Sequence, residues 1–141
     1  MHAGPNTGAH APKERHHESQ DQTGDAEMLL LPALSSRDPE IRWRLADVLI
    51  AQERFEEAET QLDASRCGFD ELLGRHLLAF ADHAAEFYAG SGNDCRRALE
   101  LARATVANRP TRRALKQART IAVNADEAAA RKRAPRSCNA A

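Results

Sequence analysis

Histidines are the side chains of this chain best suited to hold a metal ion. His76 and His83 lie seven residues apart in one predicted helix, with Asp82 next to the second. Two helical turns separate the pair by about 10 Å along the axis, so one ion cannot reach both from a straight helix. A second group consists of His10, His16 and His17. It lies in a polar segment without a rigid frame, so neither group predicts a metal site and we expect no cofactor.

The cysteines indicate reduced thiols. Cys67, Cys95 and Cys138 are widely spaced, and no CxxC pair is present. An odd number at such spacing favours a reducing compartment over a disulfide framework, so we expect a cytoplasmic protein. Cys95 begins a predicted helix, where the helix dipole can activate a thiol. Its place in the hydrophobic pattern favours a packing role instead.

No set of residues predicts catalysis. Gly90-Ser91-Gly92 invites comparison with a phosphate-binding loop, but no strand is predicted before it and the Gly-Lys-Ser/Thr sequence is missing. A turn that ends a helix explains it better. The serines lie mostly in predicted tails and turns, so no nucleophile and base are legible as a pair. We therefore expect a protein without enzymatic activity.

The composition predicts helices with a thin core. The chain has 141 residues, of which 42% are hydrophobic but only 4% are aromatic, and many are alanine. Because alanine buries little area, we expect apolar contact along helix seams rather than in one centre. The net charge is −1, so the whole chain has no overall attraction to nucleic acid or to a membrane.

The charge is nevertheless uneven along the chain. Residues 38–63 contain eight acidic side chains and three arginines, whereas residues 109–141 contain nine basic side chains and two acidic ones. Solvated helix faces explain such runs most simply. The alternatives are head-to-tail contact between molecules, an acidic partner for the C-terminal end, or weak nucleic-acid binding there. Nucleic acid is less favoured, because no aromatics alternate with the basic residues to stack on bases.

The N-terminal part predicts disorder followed by a short helix. Residues 1–25 are polar, contain several glycines and prolines, and show no periodicity, which is typical of a disordered tail. Residues 26–35 predict a short apolar helix that Pro32 should kink or split. The N-terminus lacks the apolar segment of a signal peptide. The apolar run 28–31 is far too short to span a bilayer, so we expect no membrane contact.

Residues 38–65 predict two amphipathic helices joined by a very short turn. The first should begin at Pro39 after an Asp38 cap and end near Gln52, and the second should begin at Phe55. Residues expected to face inward at 3.6-residue spacing are Ile41, Leu45, Val48, Leu49, Ala58, Leu62 and Ser65. One such hairpin cannot cover its own apolar face, so it needs neighbours.

The order of large and small residues in this hairpin resembles a tetratricopeptide repeat (TPR). The matching residues are Leu45, Ala46 and Leu49 in the first helix and Phe55, Ala58, Leu62 and Ser65 in the second. Two positions depart from the TPR pattern. Arg42, one residue before Trp43, stands where a tryptophan is frequent, and Glu53 stands where the turn has glycine.

The later chain predicts two further units. Residues 69–89 form one long helical pattern, and the helix after the glycine turn repeats the second-helix spacing at Cys95, Ala98, Ala102 and Thr105. Thr111 should cap a helix that turns at residues 124–126 into a last short helix. The resemblance divides a domain of residues 26–136 into units of about 38–66, 69–110 and 111–134, with residues 137–141 frayed.

The resemblance implies an all-α fold, namely a right-handed α-solenoid of antiparallel helix hairpins whose concave face binds another protein or a peptide segment. The residues implied on that face are Trp43, Asp47, Ile50, Asp82, Glu86, Arg113 and Gln117. Residues 38–49 also resemble the second helix of a HEAT repeat, which would make the chain a helical segment of a larger regulatory protein. Both resemblances imply an α-solenoid, and the irregular last unit adds self-association as a further alternative.

Overall fold

The computed structural model describes the backbone of residues 13–133 and the side chains from Gln22 onward. Its elements are α1 (Lys13–Leu30), a 3₁₀ segment (Leu31–Ser35), α2 (Pro39–Ala51), α3 (Phe55–Ala89), α4 (Cys95–Asn108) and α5 (Arg112–Arg133). These residues include no strand, which confirms the all-α prediction. The helices pack in chain order, each on the next, with a lighter contact between α3 and α5.

The N-terminal region differs from the expected disordered tail. Residues 13–25 belong to α1, where proline is absent and Glu, Gln, Lys and Arg favour a helix. The α-helix ends at Leu30, and Pro32 lies in the first turn of the 3₁₀ segment, as expected for a proline that splits a helix. Residues 1–12 and 134–141, including the predicted frayed end, lie outside the described residues.

The first hairpin has the predicted boundaries. The Asp38 carboxylate accepts a hydrogen bond from the Glu40 N–H at 2.9 Å and caps α2. Residues of both helices are fully buried at the contact, namely Leu45, Ala46, Leu49, Ala58, Leu62 and Ser65. The Ser65 hydroxyl donates to the carbonyl of Pro39 at 2.9 Å. Glu53 adopts a φ of 61° in the turn, a left-handed conformation that glycine adopts more readily.

The break between the first and second units lies later than predicted. Helix α3 continues through residues 66–69 and breaks at His76, where φ is −143° and ψ is 60°. It continues because Phe69 and Leu73 extend the buried stripe of the first hairpin. Residues 74–79 are all exposed, so tertiary packing does not hold the helix straight there. The break divides α3 into α3N (residues 55–75) and α3C (residues 77–89).

The turn between α3 and α4 closes by a different mechanism from the one predicted. No described glycine adopts a positive φ, whereas Asn93 does, at 52°. Gly92 is required for close approach, because a Cβ there would lie 2.8 Å from the ring of Phe87. The Asp94 carboxylate accepts a hydrogen bond from the Arg97 N–H at 3.0 Å and caps α4.

The third hairpin was wrongly predicted, because α5 is one helix through residues 124–126. None of these residues is glycine or proline, and the alanines around them favour a continuous helix. Thr111 does cap α5, since its hydroxyl accepts from the Ala114 N–H at 3.1 Å. Leu115, next to the buried Ala114, is 51% exposed.

An aromatic centre adds to the predicted seams of small residues. The Trp43 ring packs edge-on against Phe69 and Phe87, with centroids 6.4 and 5.4 Å apart. Phe69 and Phe87 stack at 4.9 Å, and Tyr88 contacts Phe87 at 5.0 Å. Four of the six aromatic residues therefore gather at the junction of α2, α3N and α3C, where alanines alone would bury little area.

Candidate functional site

Trp43 is not part of a binding surface. It was expected on the concave face, but only 5% of it is exposed and it belongs to the aromatic centre. The guanidinium of Arg44 lies 4.0 Å from the centroid of the indole ring. This side of α2 faces inward because packing the indole ring against Phe69 and Phe87 removes more apolar surface from water than an open groove would. The prediction of Trp43 as a partner-binding residue is therefore wrong.

Asp47 and Ile50 also lie away from the other predicted site residues. The Asp47 carboxylate accepts a hydrogen bond from the Ser91 hydroxyl at 2.6 Å and lies 3.8 Å from Arg44. This contact ties α2 to the turn between α3 and α4, which is a structural role. Ile50 is moderately exposed at the end of α2, and neither residue lines the groove formed by α3C and α5.

The remaining four predicted residues, Asp82, Glu86, Arg113 and Gln117, do come together. They line two adjoining depressions between α3C and α5, which we call the α3C–α5 groove. The larger depression has a volume of about 380 Å³ and is lined by Glu86, Ala89, Arg113, Lys116, Gln117, Thr120, Ile121 and Asn124. The smaller has about 200 Å³ and is lined by Asp82, Thr105, Arg109, Thr111, Arg113, Ala114 and Gln117.

A direct hydrogen bond sets the spacing of the groove walls. The Gln117 amide donates to the main-chain carbonyl of Asp82 at 3.0 Å. Ile121 is buried and Ala89 half-buried between the same two helices, so the walls also meet through apolar contact. An interhelical hydrogen bond beside apolar contact gives a groove that is formed before any ligand arrives.

The two walls carry opposite charge. Asp82 and Glu86 lie on α3C, whereas Arg113 and Lys116 lie on α5, and Arg109 lies at the end of the smaller depression. Among the described residues no ion pair within 4.0 Å joins these acidic and basic groups. Their charges therefore remain available to a ligand that presents both signs.

Several groove residues were not among those predicted. Thr120 and Asn124 continue the helical spacing of Arg113 and Gln117 along one side of α5. The predicted turn at residues 124–126 removed Asn124 from this side of the helix.

A hydrogen-bonded cluster behind the groove holds α3C in place. The Tyr88 hydroxyl donates to the Asp70 carboxylate at 2.8 Å, and Arg97 donates to the same oxygen at 2.7 Å. The three residues lie on α3C, α3N and α4, so the cluster joins three helical segments. Burial, reinforced by the hydrogen bond to Asp70, raises the pKa of Tyr88 to about 12, so the phenol stays a proton donor near neutral pH.

The remaining chemistry-bearing side chains do not assemble into a centre. The His83 imidazole lies 4.0 Å from Glu40, and His76 lies at the break in α3 with its ring 6.5 Å from Phe80. Cys67 is exposed and Cys95 half-buried, and both are free thiols. Within the part of the chain that the structure describes, no three His, Cys, Asp or Glu residues are placed to hold a metal ion.

Comparison of the chain with protein-family models, curated proteins and solved structures returned no match. None of the described helices combines the length and the apolar character that crossing a membrane would require.

Proposed function

We propose that this protein is an interaction scaffold that binds a segment of another protein in the α3C–α5 groove. The observation that carries the proposal is the pair of oppositely charged walls, which face each other without pairing. Unpaired charges on both sides of an open groove cost little in water and become valuable when a complementary partner displaces that water. The role requires no catalytic group.

The ligand that fits is a peptide segment with both signs of charge and a small apolar side. Its basic side chains would meet Asp82 and Glu86, and its acidic side chains would meet Arg113 and Lys116. Its apolar side would pack over Ala89 and Ile121, which lie between the walls. Charge order along the peptide would then set its orientation, and apolar contact would supply much of the affinity.

The TPR-like right-handed solenoid is the arrangement we propose for the hairpins. In it α2, α3C and α5 are the first helices of successive units. The hydrogen bond between Gln117 and Asp82 joins residues 35 apart in sequence, close to the TPR period of about 34. The bond between Ser91 and Asp47 joins residues 44 apart, because α3N is longer than a TPR second helix.

Selection of binding peptides from a random library displayed on phage tests the proposal. We expect selected peptides to carry both charges and to bind Glu86→Lys and Arg113→Glu at least about tenfold more weakly than the parent protein. Glu100→Lys is the matched control, because Glu100 is an exposed glutamate on α4 that pairs with Arg96 and with no other described residue. The double variant Glu86→Lys/Arg113→Glu should prefer peptides with the reverse charge order. Peptides that bind the groove variants as tightly as the parent would contradict the proposal.

A further inference from the structure

The side of α5 away from the groove carries exposed apolar residues that no described helix covers. Leu115, Ala122 and Val123 lie there together with Arg119 and Asp126, and we call these five residues the outer face of α5. Leu115 is 51% exposed and Val123 is 50% exposed. The other side of the helix, with Ala114 and Ile121 buried, packs on α4. The last helix of the array therefore has one packed side and one open apolar side.

The opposite end of the array has a cleft. It lies between the end of α1, the 3₁₀ segment and the first hairpin, and we call it the N-terminal cleft. It is lined by Glu27, Leu31, Leu45, Leu49, Arg54, Glu57, Thr60 and Gln61, and its volume is about 190 Å³. Engineered cavities of about 150 Å³ take a benzene molecule, so the cleft has room for a leucine side chain.

The two ends have complementary charge. Glu53, Glu56, Glu57 and Glu59 surround the beginning of α3N. Glu57 pairs with Arg54, which also pairs with Glu27, and Glu59 pairs with Arg66, so of these four glutamates Glu53 and Glu56 take part in no ion pair among the described residues. Basic residues predominate on α5, where the exposed ones include Arg112, Arg119, Arg131, Lys132 and Arg133. Within the described residues none of those five takes part in an ion pair. Unpaired glutamates beside a leucine-lined cleft at one end thus complement unpaired arginines beside Leu115 and Val123 at the other.

We infer that the outer face of α5 docks into the N-terminal cleft of a second copy of this chain. Leu115 enters between Leu31, Leu45 and Leu49 of the next molecule, and Arg119 meets the glutamates at the start of its α3N. The two surfaces differ, so the contact is heterologous, and association continues into open chains or closes as a ring. The contact uses neither wall of the α3C–α5 groove, so each molecule in the assembly keeps its peptide site free.

Two variants disable opposite ends of the molecule. Thr60→Lys adds a long basic side chain to the cleft at an exposed helical position, and Leu115→Glu replaces the apolar residue of α5 with an acidic one. Leu78→Glu is the matched control, because Leu78 is an exposed leucine at the break in α3 and lies on neither surface. Folding of each variant is checked by circular dichroism and by the emission of Trp43, the only tryptophan.

Light scattering over a concentration series tests the inference. We expect the mean mass of the parent protein to rise with concentration and to fall when salt is added. Thr60→Lys and Leu115→Glu alone should each associate at least about tenfold more weakly. An equimolar mixture of the two variants should form heterodimers, because Thr60→Lys has an intact α5 and Leu115→Glu has an intact cleft. No larger species should form, because the remaining cleft and the remaining α5 of the heterodimer both carry a substitution.

Three results would overturn the inference. The first is a parent protein that stays monomeric at the highest concentration reached. The second is a mixture of Thr60→Lys and Leu115→Glu that associates no better than either variant alone, since a symmetric contact would behave in this way. The third is a loss of association in Leu78→Glu equal to that in Leu115→Glu.

Discussion

Titration of Tyr88 tests whether α3N, α3C and α4 meet as the structure shows. Tyr88 is the only tyrosine, so the tyrosinate absorbance reports this phenol alone. Burial and then the hydrogen bond to Asp70 raise its pKa to about 12, against an ordinary value near 10. Half-ionisation should therefore require about a hundredfold more hydroxide than in the unfolded chain.

The same shift makes stability depend on pH in a definite direction. The folded-state pKa lies above the unfolded one, so the contribution of Tyr88 is fully present below pH 10 and is lost between pH 10 and about 12. Because the Asp70 side chain is 55% exposed, solvent screens the interaction, and we expect a loss of only about 1–2 kcal/mol. Chemical denaturation of the parent and of Tyr88→Phe over this pH range measures the difference.

Replacement of Asp70 separates the two causes of the shift. Asp70→Asn removes the negative charge beside the phenol but leaves the burial, so the pKa of Tyr88 should fall below the parent value toward the ordinary one. Asp63→Asn makes the same chemical change on α3N, where Asp63 pairs with Arg66, and should leave the titration unaltered. A phenol that titrates near 10 in the folded parent, or equally in all three proteins, would refute the contact.

Three changes of single residues test the packing, each followed by chemical denaturation. Phe87→Ala should lower the free energy of unfolding by about 3–5 kcal/mol, because Phe87 is 0% exposed. Phe55→Ala, at a site that is 62% exposed, should lower it by less than about 1 kcal/mol. Equal losses in the two variants would show that the aromatic centre is misplaced. Glu53→Gly should raise the free energy of unfolding by about 0.5–1 kcal/mol, because φ is 61° at this position. Glu59→Gly, in the middle of a helix, should lower it by a similar amount. A Glu53→Gly protein less stable than the parent would mean that the turn has a different conformation. Asp94→Ala should lower the free energy of unfolding by about 1 kcal/mol, because the cap on α4 is lost. An unchanged denaturation midpoint would argue against that cap.

Local signals predicted most of the first hairpin and the start of each later helix. Capping residues Asp38, Asp94 and Thr111 accept hydrogen bonds from main-chain N–H groups within the next three residues, so their effect does not depend on distant packing. The buried small residues of the seams, such as Ala46 and Ala58, were also legible, because helical periodicity identifies which face is apolar. The TPR resemblance rests on these positions and stays a prediction.

The candidate groove was predicted in part. The α3C and α5 residues Asp82, Glu86, Arg113 and Gln117 were expected on one surface and do line one groove. Trp43 was wrongly placed on that surface, because periodicity shows that a residue can face a neighbour but not which neighbour it meets. Its burial depends on Phe69 and Phe87, which lie 26 and 44 residues later in the chain.

Local patterns established that this chain is helical, where α2 and α4 begin, and which small side chains line their seams, because those properties depend on residues within a few positions of one another. Tertiary packing decides that α3 breaks at His76 and that Trp43 lies inside. A helix continues wherever a neighbouring helix covers its apolar side, and it can bend where nothing does. That balance depends on residues far apart in the chain, so local patterns do not contain it.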